Sequence, residues 1–128
     1  MSIAEEKYVS FTTFRRSGER KSTPVWIVPI DGGAGFTTGR DSWKMKRLRS
    51  DPRCELQPSN GRGVVVDGTV VVTGTAREST PEEYQRIAAA VTDKYGVAAK
   101  LIRSMAAVRR FISRSGPDDS TGVIVTLD

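Results

Sequence analysis

The sequence predicts a small, mainly-β domain in which six or seven antiparallel strands form a barrel, with a short basic helix and a pair of helices packed outside it. Before Thr80, most segments alternate between polar and β-branched or aromatic residues and are separated by Gly- and Pro-containing turns. Two apolar stripes with helical spacing follow Thr80, and the chain ends in another strand-like segment. The length of 128 residues suits a single domain over residues 1–128 with an apolar core.

The strands are predicted from alternation and from turn residues. The first segment alternates as YVSFTTF, and a Ser17-Gly18-Glu19 turn separates it from the second. The Asp67-Gly68 pair is typical of a two-residue hairpin, so a strand is predicted on each side of it. The predicted strands are residues 8–14, 21–30, 36–38, 53–57, 61–67, 69–78 and 121–127.

A helical pair is predicted between the last two strands. Thr80 and Glu83 have the spacing of a capping box at the start of a helix over residues 81–95, and Gly96 follows its end. A second apolar stripe predicts another helix over residues 98–112. Both stripes need an apolar surface to pack against, so the two helices are expected to cover the sheet.

The short helix, predicted over residues 43–49, lies in the most basic part of the chain. Asp41 or Ser42 is placed to cap its first turn. Residues 39–53 contain six basic side chains and two acidic ones, whereas the whole chain has a net charge of +5. The basic residues are Arg40, Lys44, Lys46, Arg47, Arg49 and Arg53. Such a concentration indicates an anionic partner, whether a phosphate, a polycarboxylate or a nucleic acid, and the alternative is a solvated helix face.

Few residues are available for catalysis or metal binding. The chain has no histidine, which excludes His-based metal sites and Ser-His or Cys-His catalytic pairs, and no metal site is predicted. The single cysteine, Cys54, lies in a strand-like segment and is interpreted as a packing residue. No apolar run approaches the ~18 residues that span a bilayer. A cytoplasmic protein is the simplest expectation.

Three segments carry a resemblance to a known family. They are Ser22-Thr23-Pro24-Val25-Trp26, Phe36-Thr37-Thr38-Gly39-Arg40, and a helix pattern of Ser42, Lys44, Lys46 and Leu48 followed by Asp51-Pro52-Arg53. In this order and spacing they resemble the pyridoxamine 5′-phosphate oxidase-like split-barrel superfamily. Within it, the sequence is most similar to the F420-dependent (deazaflavin) oxidoreductases of actinobacteria. The similarity extends over nearly the whole chain.

The resemblance implies a homodimeric split barrel that binds a phosphorylated cofactor, coenzyme F420 or FMN, at the subunit interface. Its phosphate is expected at the third strand and the start of the short helix, and its ring along the second strand. The residues carried over for the phosphate are Thr37, Thr38, Arg40, Ser42, Lys44 and Lys46. Those for the ring are Thr23, Pro24, Val25 and Trp26, and Gln57 and Pro58 are expected to border the pocket. The local chemistry agrees, because a helix N-terminus and basic side chains both favour phosphate.

The function implied is that of an F420-dependent oxidoreductase, which transfers a hydride between the deazaflavin and an unsaturated small-molecule acceptor. F420 is preferred to FMN because the additional arginines, Arg47, Arg49 and Arg53, suit its lactyl-glutamate tail. No catalytic side chain is identifiable in the sequence. Solvent is expected to supply the proton, ahead of Tyr8 or the partner subunit's Tyr95.

Other functions stay open at this stage. One is an FMN-binding split barrel, and another is a non-catalytic module that holds a flavin or a tetrapyrrole. Nucleic-acid binding is disfavoured because the aromatic residues do not interleave with the basic ones, and no membrane partner is expected. Oxidation of pyridoxamine phosphate is not expected, since the true oxidases hold pyridoxal phosphate with Trp, Arg and His residues in a longer C-terminal region.

Overall fold

A computed structural model describes residues 3–96 and 120–128 of the chain. Within them, seven antiparallel strands form one curled sheet, a half-barrel, with two helices. The elements are a 3-10 turn (Ile3–Glu5), β1 (Tyr8–Phe14), β2 (Arg20–Val25), β3 (Val28–Ile30), β4 (Gly33–Gly39), α1 (Trp43–Ser50), β5 (Arg53–Ser59), β6 (Val72–Glu78), α2 (residues 81–96) and β7 (Ser120–Leu127). The predicted mainly-β class with six or seven antiparallel strands is confirmed.

The strand order is β2-β1-β5-β6-β7-β4-β3, and every neighbouring pair is antiparallel. The last strand, β7, lies between β6 and β4 and therefore completes the sheet. The predicted strand over residues 21–30 is divided into β2 and β3 by a bend at Trp26 and Ile27. β2 and β3 are the two edges, so β2 has one backbone edge that no described strand covers.

The prediction of a hairpin around Asp67-Gly68 is wrong. Residues 60–71 form a loop with one isolated β-bridge, and only β6 beyond it is a strand. The side-chain oxygen of Asn60 accepts hydrogen bonds from the backbone N–H groups of Arg62 (2.9 Å) and Val64 (3.0 Å). In a continuing strand, these N–H groups would donate to the carbonyl groups of a neighbouring strand. The Asn60 side chain therefore competes with strand pairing.

Both described helices begin at the predicted caps. Ser42 Oγ accepts a hydrogen bond from the backbone N–H of Met45 (3.3 Å) at the start of α1. Thr80 and Glu83 form the predicted capping box of α2, with reciprocal bonds of 3.2 and 2.8 Å. Neither helix is long and apolar enough to cross a membrane. The helix predicted over residues 98–112 lies outside the described residues.

The main core lies on the inner face of the curled sheet. Phe11 on β1 and Phe36 on β4 are fully buried, and their rings meet edge to face with centroids 4.7 Å apart. α1 adds Met45 and Leu48 to the same cluster and thereby covers one end of it. The short helix was predicted to pack outside the barrel, but it contributes to the core.

α2 packs on the opposite face of the sheet. Its Ile87 and Val91 form a second cluster with Val28 of β3 and Ile124 of β7. Gly122 permits this approach, because a Cβ atom there would lie only 2.7 Å from Ile87 Cδ1. The two described helices therefore pack on opposite faces of the sheet.

Cys54 is 2% exposed and belongs to the main core. Burial raises the pKa of its thiol to about 12, with smaller contributions from the charges of Asp128 and Glu55. The thiol therefore stays protonated at neutral pH and is a poor nucleophile. This agrees with its interpretation as a packing residue.

Candidate anion-binding site

Three of the predicted phosphate residues meet where β4 ends and α1 begins. The ammonium of Lys44 donates to Thr38 Oγ1 (3.2 Å), and the Thr38 hydroxyl donates to Ser42 Oγ (3.2 Å). Ser42 also caps α1, so the first turn of the helix and the lysine point to one place. We call Thr38, Ser42 and Lys44 the β4–α1 cluster.

Lys44 is half-buried at the start of α1. The ion pairs among the described residues do not include it. Burial lowers the pKa of its ammonium, and the nearby positive charge of Arg47 lowers it further. An anion placed beside Lys44 would oppose both effects, which makes this position favourable for a phosphate.

A basic cleft of about 530 Å³ separates α1 from the hairpin of β1 and β2. Its lining residues are Phe14, Arg15, Arg16, Lys21, Ser22, Trp43, Lys46, Arg47 and Ser50. Five of these are cations, and no lining residue is a carboxylate. The lining residues that α1 contributes are spaced three or four positions apart and therefore lie on one face of the helix. Met45 and Leu48 lie on another face and point into the core. A cleft of this charge concentrates anionic ligands.

Arg47 lines the cleft and also forms a hydrogen bond with the sheet. Its Nε donates to the hydroxyl of Thr13 (2.6 Å), a fully buried residue of β1. Burial and then the charge of Arg15 lower the pKa of the Arg47 guanidinium. On the same helix face, Lys46 Nζ lies 4.5 Å from the ring centroid of Trp43, whose residue is 71% exposed. The cleft therefore combines a fixed guanidinium with an exposed aromatic surface.

The remaining basic residues of α1 and its flanks do not line the cleft. Arg49 pairs with Glu78 (3.2 Å) and also donates to the backbone carbonyl of Arg40 (3.2 Å). Arg53 pairs with Asp51 (2.7 Å). Of the three arginines expected to suit an anionic tail, only Arg47 is in the cleft. Of the six predicted phosphate residues, only Lys46 lines the cleft; Arg40 and Thr37 are exposed, and the β4–α1 cluster lies outside the cleft lining.

The predicted ring residues occupy different environments. Thr23 pairs in register with Phe11 and is half-buried, whereas Val25 belongs to the main core. Trp26 stacks on Tyr95 of α2, with centroids 4.5 Å apart and planes within 6°. Pro24 lies beside Gly63 of the loop after β5. β2 instead reaches the cleft through its earlier residues, Lys21 and Ser22.

The contribution of the β1–β2 hairpin was missed by the sequence analysis. The segment from Arg15 to Lys21 has four basic residues and one acidic residue, which was an available signal. Sequence spacing does not show that this hairpin faces α1, because the two segments are joined only through the sheet. Gln57 was expected to border the cofactor pocket. It instead lines a smaller cavity of about 150 Å³ on the face of the sheet that is opposite the main core.

Comparison with known proteins identifies the family. A protein-family model described as pyridoxamine 5′-phosphate oxidase matches residues 2–121. The chain belongs to this family. The predicted membership is thus confirmed, and it covers both the basic cleft and the β4–α1 cluster. No curated protein sequence matches the chain.

Solved structures with a similar fold include an F420 reductase, a heme storage protein and a putative oxidase. An F420 reductase superposes with a TM-score of 0.64 at 15% identity, covering 98% of this chain and 90% of that one. The heme storage protein HutZ from Vibrio cholerae gives 0.66 at 11% identity, covering 98% and 84%. A putative pyridoxamine 5′-phosphate oxidase from Listeria innocua gives 0.65 at 8% identity, covering 98% and 87%. At these identities the similarity shows the split-barrel fold alone.

Proposed function

We propose that this family member is a cytoplasmic F420-dependent oxidoreductase that transfers a hydride between the deazaflavin and an unsaturated small-molecule acceptor. The observation that carries the proposal is that α1 contributes both to the basic cleft and to the β4–α1 cluster. An F420 reductase shares the fold over 98% of this chain, which supports the choice of cofactor class.

The residues present fit a phosphorylated cofactor with further negative groups. Thr38, Ser42 and Lys44 would hold the phosphate, with Lys46 and Arg47 beside them. The edge of β2 that no described strand covers leaves backbone groups for a flat heteroaromatic ring, along the residues predicted for it. When bound, the deazaflavin would supply the hydride chemistry, while the protein orients the ring and excludes water.

The contacts of Tyr95 favour solvent over this tyrosine as the proton source in this proposal. The Tyr95 hydroxyl lies 2.7 Å from the carbonyl oxygens of both Lys7 and Ile27. Burial raises the pKa of this hydroxyl above its ordinary value. Its proton is therefore held by backbone acceptors, and its ring is stacked on Trp26. Tyr95 serves better as a packing residue between α2 and the bend after β2.

The choice of F420 over FMN rests on the number of cations. The β4–α1 cluster is sufficient to bind one phosphate, and the cleft presents five further cations. The lactyl-glutamate tail of F420 would supply additional negative groups for these cations, whereas FMN has only its phosphate. FMN binding, or non-catalytic storage of a flavin or tetrapyrrole, is the alternative. The heme storage protein of the same fold supports the second of these.

Titration with each cofactor tests the proposal. We expect F420 to bind more tightly than FMN when ligand fluorescence is followed at fixed protein concentration. Bound reduced F420 should then be oxidised by at least one member of a panel of quinones, enones and tetrapyrroles. Tighter binding of FMN would contradict the cofactor assignment. Tight F420 binding with no oxidation by any acceptor would favour the non-catalytic module.

We also propose that the protein is a homodimer whose interface includes the loop between β5 and β6. Five valines of this loop are exposed, at Val64 (62%), Val65 (37%), Val66 (49%), Val70 (79%) and Val71 (42%). Adjacent exposed apolar side chains of this kind are typical of protein–protein contacts. Members of this fold family are typically oligomeric, which favours a second copy of the chain as the partner.

Substitution in this loop is expected to dissociate the dimer. Val70→Lys introduces a charge at the most exposed valine, so burying it in an interface becomes unfavourable. Light scattering after size exclusion should give twice the chain mass for the wild type and the single mass for the variant. Thr75→Lys, at an exposed position on β6, is the matched control and should stay dimeric. A monomeric wild type at micromolar concentration would refute the proposal.

A further inference from the structure

Glu19 is the one acidic side chain in the turn between β1 and β2, and it is paired with two cations of the basic cleft. Its Oε2 lies 3.0 Å from Arg15 Nη1, and its Oε1 lies 3.3 Å from Lys21 Nζ. Both cations line the cleft, whereas Glu19 does not. The carboxylate therefore neutralises part of the cleft from its outer side.

The hairpin holds these groups together. The backbone N–H of Arg15 donates to the carbonyl of Glu19 (2.9 Å), and the N–H of Gly18 donates to the carbonyl of Arg15 (2.8 Å). Gly18 has a φ of 88°, a conformation that favours glycine. Because the turn fixes the backbone on both sides, Glu19 lies beside Arg15 and Lys21.

The cations of the cleft thus divide into two groups. Arg16, Lys46 and Arg47 line the cleft and form no ion pair with any described carboxylate. Arg15 and Lys21 share Glu19. A ligand with one anionic group is satisfied by the first group, but a ligand with several must also contact the second.

We propose that Glu19 is an internal counter-ion that a ligand with two or more separated anionic groups has to displace from Arg15 and Lys21. It therefore sets the affinity of the cleft for multiply charged ligands. This inference rests on the proposed function only in placing the first phosphate at Lys44. The same hydrogen bond and charges that hold Glu19 lower the pKa of its carboxyl, so it is ionised at neutral pH and competes as a full charge.

The displacement is feasible because the pair is open to solvent. The side chains of Arg15 and Glu19 are each 53% exposed, and that of Lys21 is 38% exposed. Ion pairs with this exposure are weak and are easily exchanged for others. Glu19 therefore tunes binding rather than blocking it, and its removal should strengthen binding of polyanions by a small factor.

Calorimetric titration with two probes, tripolyphosphate and inorganic phosphate, tests the proposal. We expect Glu19→Gln to tighten tripolyphosphate binding by about two- to fivefold and to leave phosphate binding unchanged. The matched control is Glu55→Gln, which removes the same charge from a residue that pairs with Arg20 on the other face of the sheet. Equal tightening by both variants would show only a long-range charge effect and would overturn the proposal.

A double-mutant cycle completes the test. In a protein that already carries Arg15→Ala and Lys21→Ala, Glu19→Gln should no longer change tripolyphosphate affinity. An undiminished effect there, or no effect of Glu19→Gln in the wild type, would overturn the inference. Failure of F420 and FMN to bind would refute the proposed function alone, because the tripolyphosphate result does not depend on either cofactor.

Discussion

Replacing Lys44 by alanine is expected to weaken binding of the cofactor, F420 or FMN, by about ten- to hundredfold. The ammonium is half-buried and held by Thr38 Oγ1, and no described ion pair includes it. A charge-assisted hydrogen bond to a phosphate in this position is stronger than an exposed one, because less water competes for it. The measurement is a fluorescence titration with each cofactor, at a protein concentration below the wild-type dissociation constant.

Arg49→Ala is the matched control for this prediction. It removes one positive charge from the same helix, but Arg49 is exposed and already paired with Glu78, whereas no described ion pair includes Lys44. Its effect on cofactor affinity should be less than about threefold. Lys46→Ala should fall between the two, since Lys46 is exposed and lines the cleft. Unchanged affinity in a folded Lys44→Ala protein would place the phosphate elsewhere.

Phe36→Ala is expected to lower the free energy of unfolding by about 3–5 kcal/mol. The side chain is fully buried and packs edge to face on Phe11, so its removal leaves a cavity between β4 and β1. The loss is a large part of the stability of a typical domain of this size. Urea denaturation followed by circular dichroism gives the value directly.

The neighbouring residue of β4 provides the control. Thr37 is exposed on the opposite face of the strand, and Thr37→Ala should change the free energy of unfolding by less than about 0.5 kcal/mol. A Phe36→Ala protein within about 1 kcal/mol of the wild type would show that this ring does not organise the core. Cofactor binding should weaken in step with unfolding, because the same strand carries Thr38 to the β4–α1 cluster.

The elements that the sequence predicts well are those with local causes. The Ser42 cap and the Thr80–Glu83 box are interactions within one turn, so the starts of α1 and α2 can be predicted from a few residues. The hairpin at Asp67-Gly68 also has a local signal, yet it does not form a ladder. Two backbone N–H groups that precede the turn donate to the Asn60 side chain instead of to a neighbouring strand. The hairpin propensity of Asp67-Gly68 does not outweigh these two hydrogen bonds.

The candidate site divides in the same way. Thr38, Ser42 and Lys44 lie within seven residues of each other, and their grouping follows from a strand end joined to a capped helix. Thr37 and Arg40 belong to the same short segment, but strand alternation and an exposed turn place their side chains outside the hydrogen bonds of the β4–α1 cluster. Local spacing therefore selects the segment, and backbone geometry selects the side chains within it.

By itself, the sequence determined the mainly-β class, the helix caps, the basic character of the segment around α1, and the family. Only the tertiary structure decided that the β1–β2 hairpin faces α1 and brings Arg15, Arg16 and Lys21 to Lys46 and Arg47. The reason is physical. Caps and alternation depend on contacts over a few residues, whereas the cleft depends on sheet pairing and on α1 packing into the core through Met45 and Leu48.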